Sequence, residues 1–111
     1  MKRKSNQYTI FIGLSDRETG VQKLDVENYL IVLKYVCSNY HVAFSFHLMN
    51  GGYFHNDGRY IEENTLSLMM IDVPEKTVLE IAKDICVFFN QESVMVTSSP
   101  TKRLFVNERL K

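Results

Sequence analysis

The side chains able to do chemistry here are three histidines, His41, His47 and His55, one loop aspartate, Asp16, and a run of carboxylates, Asp57, Glu62, Glu63 and Asp72. A metal site needs several ligands at matched spacing, and no cysteine or carboxylate is spaced to complete one with His47 and His55. Tyrosine-nucleophile nickases hold a divalent ion with two histidines flanking one apolar residue on a strand, whereas His41 and His47 lie six positions apart. The histidines therefore read as surface groups, and no metal or cofactor is expected. Asp16, in Gly13-Leu14-Ser15-Asp16, is the closest match to the carboxylate of a small metal-dependent nuclease. Its plain alternative is a turn former whose side chain bonds nearby backbone amides. No catalytic residue is assigned, and the expectation is a protein that binds without performing chemistry.

The carboxylates suit recognition better than reaction. Asp57, Glu62, Glu63 and Asp72 fall along one expected hairpin, and Asp25, Glu27, Glu75, Glu80 and Asp84 add to the same charge. Together they can form a negative surface that competes for a basic groove, or only a solvated face. Asn90-Gln91-Glu92-Ser93 carries more polar groups than a helix exit needs, and a C-cap with Asn90 in a left-handed conformation accounts for it.

These groups are positioned by an alternating pattern of strands and helices. Tyr8 to Leu14 is rich in β-branched and aromatic residues and runs into the polar stretch Ser15 to Gly20, as a strand runs into a loop. Val26, Tyr29, Leu30, Leu33, Val36, Cys37 and Tyr40 recur at helical spacing after Asp25, a suitable N-cap, and this helix ends near Asn39. Phe44, Phe46 and Leu48, then Leu66, Leu68 and Met70, alternate as strands do, with Asn56-Asp57-Gly58 as the hairpin turn and Gly51-Gly52 as a bulge or bend. Pro74 opens a second helix with an apolar stripe from Val78 to Phe89. Val94 to Thr97 makes the fourth strand, Pro100 breaks it, and Leu104 to Val106 adds a short strand or a docked tail.

The expected fold is therefore α+β, a ferredoxin-like β-α-β-β-α-β arrangement: a four-stranded antiparallel sheet, two helices on one face and a short C-terminal extension. The first and third strands are central and the second is an edge. The uncovered face displays Thr9, Phe11, His47, Met49, Ser67 and Met69, a mixture apolar enough to be a contact surface. RNA-binding domains stack bases on that face, but Phe11 is the single aromatic that the central strands place on it here.

The chain's 111 residues, 45% of them hydrophobic, suffice for one domain, with a core expected over about 7–98 and basic tails at 1–6 and 99–111. Net charge is zero but unevenly spread: +3 over residues 1–24, −6 over 25–92 and +3 over 93–111. An acidic body disfavours phosphate, which leaves direct nucleic-acid contact to the basic ends. Cys37 and Cys86 fall among apolar helical neighbours and read as free thiols. With no long apolar run, a cytoplasmic protein is expected, monomeric or homodimeric and without a membrane contact.

Three segments carry a resemblance: Tyr8 to Asp16, Gly51 to Gly58 running into Glu62-Glu63-Asn64-Thr65, and Phe89 to Val94. They resemble small proteins carried on phages, plasmids and conjugative elements of Gram-positive bacteria, a group that includes type II-A anti-CRISPR proteins. The resemblance implies a non-enzymatic inhibitor that binds Cas9, or another basic nucleic-acid-binding protein, and blocks guide-RNA loading or DNA engagement. Asp57, Glu62, Glu63 and Asp72 on the hairpin, and Phe11, His47, Met49 and Met69 on the open face, are the candidate contacts. A nucleic-acid-binding accessory protein of a mobile element and a small metal-dependent nuclease are the alternatives.

Overall fold

The computed structural model of the chain describes residues 3–109. Its elements follow in the order β1 (Arg3–Gly13), α1 (Val26–Asn39), β2 (Ser45–Phe54), β3 (Tyr60–Ile71), α2 (Glu75–Phe88) and β4 (Met95–Arg103). The strands form one antiparallel sheet in the order β2-β3-β1-β4, with β1 and β3 central. This is the ferredoxin-like fold: α1 carries the chain from β1 past β3 to β2, and α2 carries it from β3 past β1 to β4.

Alternation in the central strands decides which face the helices cover. Tyr8, Ile10, Ile12 and Leu14 from β1 and the residue after it, with Leu66, Leu68 and Met70 from β3, are buried on one face. Against them pack Tyr29, Leu33, Val36 and Cys37 of α1, and Val78, Ile81, Ala82 and Ile85 of α2. Burying each such aliphatic side chain contributes about 1.5–3 kcal/mol, which makes this layer the main source of stability. Register fixes the opposite face too: Phe11 sits opposite Ser67, which sits opposite His47, and Thr9 lies opposite Met69. The uncovered face thus holds the residues expected on it.

Four local expectations are corrected. Gly51-Gly52 is not a bulge, because β2 and β3 pair without a skipped residue through Gly51↔Glu63 and Gly52↔Glu62. With glycine at 52, the Tyr60 hydroxyl reaches into the place a Cβ would take. Pro100 does not end β4, since Asn6↔Pro100 is one pair in a ladder that runs on to Arg3↔Arg103. Proline is tolerated because β4 is an edge strand, where one side of the backbone needs no partner. Residues 3–6 and 99–103, expected as tails, are therefore strand, while Leu104 to Val106 forms none. Finally, Pro74 is the N-cap of α2 and not part of its first turn, its carbonyl accepting from Val78 N–H at 3.1 Å; Asp25 is the N-cap of α1 as expected, and neither helix has a side-chain cap bond.

The hairpin turn is at the expected place, with Gly58 at φ 90° and its N–H donating to the His55 carbonyl at 2.9 Å. Beyond Met49 the two strands run clear of the helices, and from Gly52 to Tyr60 every residue is exposed. That arm elongates the molecule to 56 Å against 29 and 27 Å in the other directions.

Candidate functional site

Topology collects three connections at one end of the sheet. β1 and β2 end there, β3 and β4 start there, and α2 finishes there. The loop after β1, the root of the hairpin and the α2–β4 turn therefore meet, and between them lies a cleft of about 840 Å³. Its walls are residues 15–20, the hairpin positions Tyr53, His55 and Arg59 to Glu63, and Gln91 to Ser93. The three segments that carried the resemblance all contribute.

Asp16 shapes the first wall. Its Oδ2 accepts from the N–H groups of Glu18 and Thr19 at 3.0 and 3.2 Å, while Gly20 N–H donates to its carbonyl at 2.8 Å and Gly20 turns at φ 73°. Its Oδ1 accepts from the Asn90 amide at 2.6 Å, with Lys23 Nζ at 3.7 Å. The Asn90 amide does most to hold the Asp16 carboxyl below the usual carboxylate range. The Glu18 and Thr19 amides and Lys23 act in the same direction and outweigh burial. Both oxygens are thus engaged, which fits the turn-forming reading of this aspartate.

Asn90 itself is left-handed at φ 50°, and the exit of α2 is closed by Asn90 N–H on the Val87 carbonyl and Gln91 N–H on the Cys86 carbonyl. The C-cap expectation holds for the backbone. The side chains reach further, because Gln91 Nε2 donates to the Ser15 carbonyl at 2.7 Å.

Glu63 forms the floor. Its Oε2 accepts from Ser15 N–H at 3.1 Å, and the carboxylate lies over Gly13, where a Cβ would stand 2.5 Å from Oε1. Tyr53 lies on the same face of the hairpin as Glu63, while Tyr60 lies on the opposite face with Glu62, packing over Gly52 with its ring 5.4 Å from that of Phe54. The lining is acidic: Asp16, Glu18, Glu62, Glu63 and Glu92 face two guanidinium groups, Arg17 and Arg59. Arg59 is already held by Asp57, Nε to Oδ2 at 2.7 Å, and the Arg59 backbone N–H first, then this guanidinium contact, keeps Asp57 below its ordinary pKa.

The four carboxylates expected to act together are not one patch. Asp57 is at the hairpin tip beside His55, Glu62 and Glu63 are at its root, and Asp72 lies past the far end of β3, bound to Arg103 at 2.6 Å. Phe11, His47, Met49 and Met69 do share the uncovered face, with Met95 beside Phe11. Among the described residues no group of three His, Cys, Asp or Glu side chains is arranged to hold a metal ion. Sequence reasoning missed Tyr53, Tyr60 and Gln91 as cleft residues. The signal available was Gly52, whose missing side chain leaves room for Tyr60 across a tight hairpin.

No family model and no curated protein matches the sequence. Solved structures do. A phage SAM lyase in the apo state superposes with a TM-score of 0.68 at 19% identity, covering 97% of this chain and 94% of that one. The same kind of protein in complex with S-methyl-5'-thioadenosine gives 0.67 at 18%, covering 96% and 93%. A GlnK–ATP complex from B. subtilis gives 0.61 at 13%, covering 88% and 82%. The chain shares their fold. At these identities the likeness extends to the fold and its strand order, and no residue role transfers with it.

Proposed function

We propose that the cleft binds S-adenosylmethionine, an adenosine that carries a sulfonium cation. The composition of the cleft supports this reading: the carboxylates of Glu18, Glu62, Glu63 and Glu92 outnumber Arg17 and Arg59, and an aromatic ring stands on each face of the hairpin, Tyr53 on that of Glu63 and Tyr60 on that of Glu62. Such a lining repels the phosphates of a nucleotide and attracts sulfonium and ammonium groups. A tyrosine ring adds attraction for a cation and a surface on which a purine stacks. Between S-methyl-5'-thioadenosine and ATP, both named with similar folds, the acidic cleft favours the uncharged or cationic adenosine class over the phosphorylated one.

Equilibrium dialysis against S-adenosylmethionine, S-methyl-5'-thioadenosine and ATP tests the proposal. S-adenosylmethionine is expected to bind at least about tenfold more tightly than ATP, a difference of about 1.4 kcal/mol. ATP binding as tightly as S-adenosylmethionine, or no uptake of the sulfonium, refutes it. Release of S-methyl-5'-thioadenosine in the same incubation reads cleavage of the bound sulfonium, which would replace the expectation of a non-catalytic protein.

A second reading is supported by the hairpin. Phe54 and Tyr60 are 74% and 57% exposed on an arm that stands clear of the core, with Asp57 and Glu62 beside them. Aromatic rings flanked by carboxylates suit a docking arm for a basic protein, as a Cas9 inhibitor requires. Titration of the protein into DNA-cleavage reactions of several type II enzymes is expected to suppress cutting. Undiminished cutting, with no complex to guide-free or guide-loaded Cas9 on gel filtration, removes this reading.

A further inference from the structure

Asp16 and the polar exit of α2 are both richer in hydrogen-bonding groups than their local turns need, and they meet each other across 74 positions of sequence. The Asp16 carboxylate divides its work: Oδ2 folds its own loop through Glu18 and Thr19, and Oδ1 takes the Asn90 amide. Two further bonds join the same segments, Arg17 N–H to the Asn90 carbonyl at 3.3 Å and Gln91 Nε2 to the Ser15 carbonyl at 2.7 Å. Glycine is the usual residue for a left-handed helix exit, and asparagine here supplies the one thing glycine lacks, a side-chain donor. Asp16 is only 4% exposed, so without Asn90 a nearly buried carboxylate oxygen loses its closest donor.

We infer that Asp16 and Asn90 form a latch that holds the 15–20 loop against the α2–β4 turn and thereby sets the shape of the cleft. Asp16 is a positioning residue and not one that touches ligand. This role rests on the proposed ligand-binding function of the cleft, because the residues on both sides of the latch, among them Arg17, Glu18 and Glu92, line it.

Asn90→Gly isolates the latch, since glycine keeps the left-handed exit and removes only the amide. The thermal midpoint is expected to fall by several degrees with the protein still folded at about 25 °C, so cleavage is read there, far below the midpoint. Tryptic cleavage after the exposed Arg17 in the folded protein is expected to rise at least about tenfold, and affinity for S-adenosylmethionine to fall by a similar factor, as loss of a hydrogen bond to a charged group does. Asp16→Asn alone should behave likewise, because two amide donors then face each other. Combining Asp16→Asn with Asn90→Asp should restore both readouts. In that exchange the amide oxygen at position 16 takes the loop N–H groups, and the amide nitrogen donates to the carboxylate at position 90. Unchanged cleavage after Arg17 in N90G overturns the latch whatever the ligand does. Faster cleavage with full affinity overturns its positioning role. A parent protein that binds no S-adenosylmethionine refutes the proposed function instead, and proteolysis alone then decides the latch.

Discussion

Gly13→Ala should destabilise the protein when Glu63 is present and stabilise it when Glu63 is gone. A Cβ at position 13 would lie 2.5 Å from Glu63 Oε1 and 2.8 Å from its Cδ and Oε2, so the carboxylate must move away. Moving it breaks the 3.1 Å bond from Ser15 N–H. A hydrogen bond to a charged group contributes about 1.5–3 kcal/mol, and half-exposed Glu63 belongs at the lower end, about 1.5 kcal/mol. Against that, alanine in a strand gains about 0.5–1 kcal/mol over glycine, and Gly13 has no positive φ to forbid it. The net cost is about 0.5–1 kcal/mol. In a Glu63→Ala background there is no clash and no bond to lose, so the same substitution should now stabilise by about 0.5–1 kcal/mol. Urea unfolding of the four proteins measures the cycle, with a coupling of about 1.5 kcal/mol as its signature. Additive effects, with Gly13→Ala keeping one sign in both backgrounds, would refute the placement of Glu63 over Gly13 and with it the floor of the cleft.

Two further predictions concern the frame around the site. His41 closes α1 at φ 55°, with Val42 N–H on the Cys37 carbonyl, and His41→Gly should raise stability by about 0.5–1 kcal/mol by relieving a left-handed non-glycine residue; a fall in the thermal midpoint would contradict this. The Tyr40 hydroxyl donates to Asp84 at 2.7 Å, and that bond first, then burial and the charges of Asp84 and Glu80, raise the Tyr40 pKa. A raised folded-state pKa gives stability that is present below the unfolded value of about 10 and is lost as pH rises through the folded value. Tyr40→Phe should therefore flatten the alkaline decline in urea midpoint, and an unchanged slope would show that the pair contributes none of it.

The fold was readable because its two periods are clean. Tyr8, Ile10 and Ile12 alternate, as do Leu66, Leu68 and Met70, and the stripe from Val78 to Ile85 repeats every three or four residues. Each pattern has one burial solution, and antiparallel pairing then fixes which residues share the open face. What failed depended on contacts between distant positions. Pro100 reads as a strand breaker until β4 is known to be an edge. Gly51-Gly52 reads as a bulge until the pairing with Glu63 and Glu62 is seen to run on unbroken and Tyr60 to reach over Gly52. Local propensity carries no information about either neighbour.

The site was partly legible for a topological reason that a fold assignment already contains. In a β-α-β-β-α-β chain β1, β2 and α2 end at one end of the sheet, so the loop after β1, the hairpin and the exit of α2 must be neighbours whatever their sequences. Asp16, the Gly51–Thr65 arm and Asn90-Gln91 were each conspicuous, and the expected strand order already brought them together. What the order could not supply was pairing. That Asp16 takes Asn90, that Gln91 takes the Ser15 carbonyl and that Glu63 takes the Ser15 amide depends on side-chain reach of a few ångströms. The carboxylates grouped by sequence divide along the same lines. Glu63 belongs to the cleft, Asp57 to the hairpin tip and Asp72 to the opposite end, where it is bound to Arg103. An acidic face spread over all four would attract any basic partner. The cleft instead gathers Glu62 and Glu63 with Glu18 and Glu92 from the neighbouring loops, a lining that selects by size and by the sign of a small ligand, and for that reason the small-molecule proposal is placed ahead of the protein-docking one.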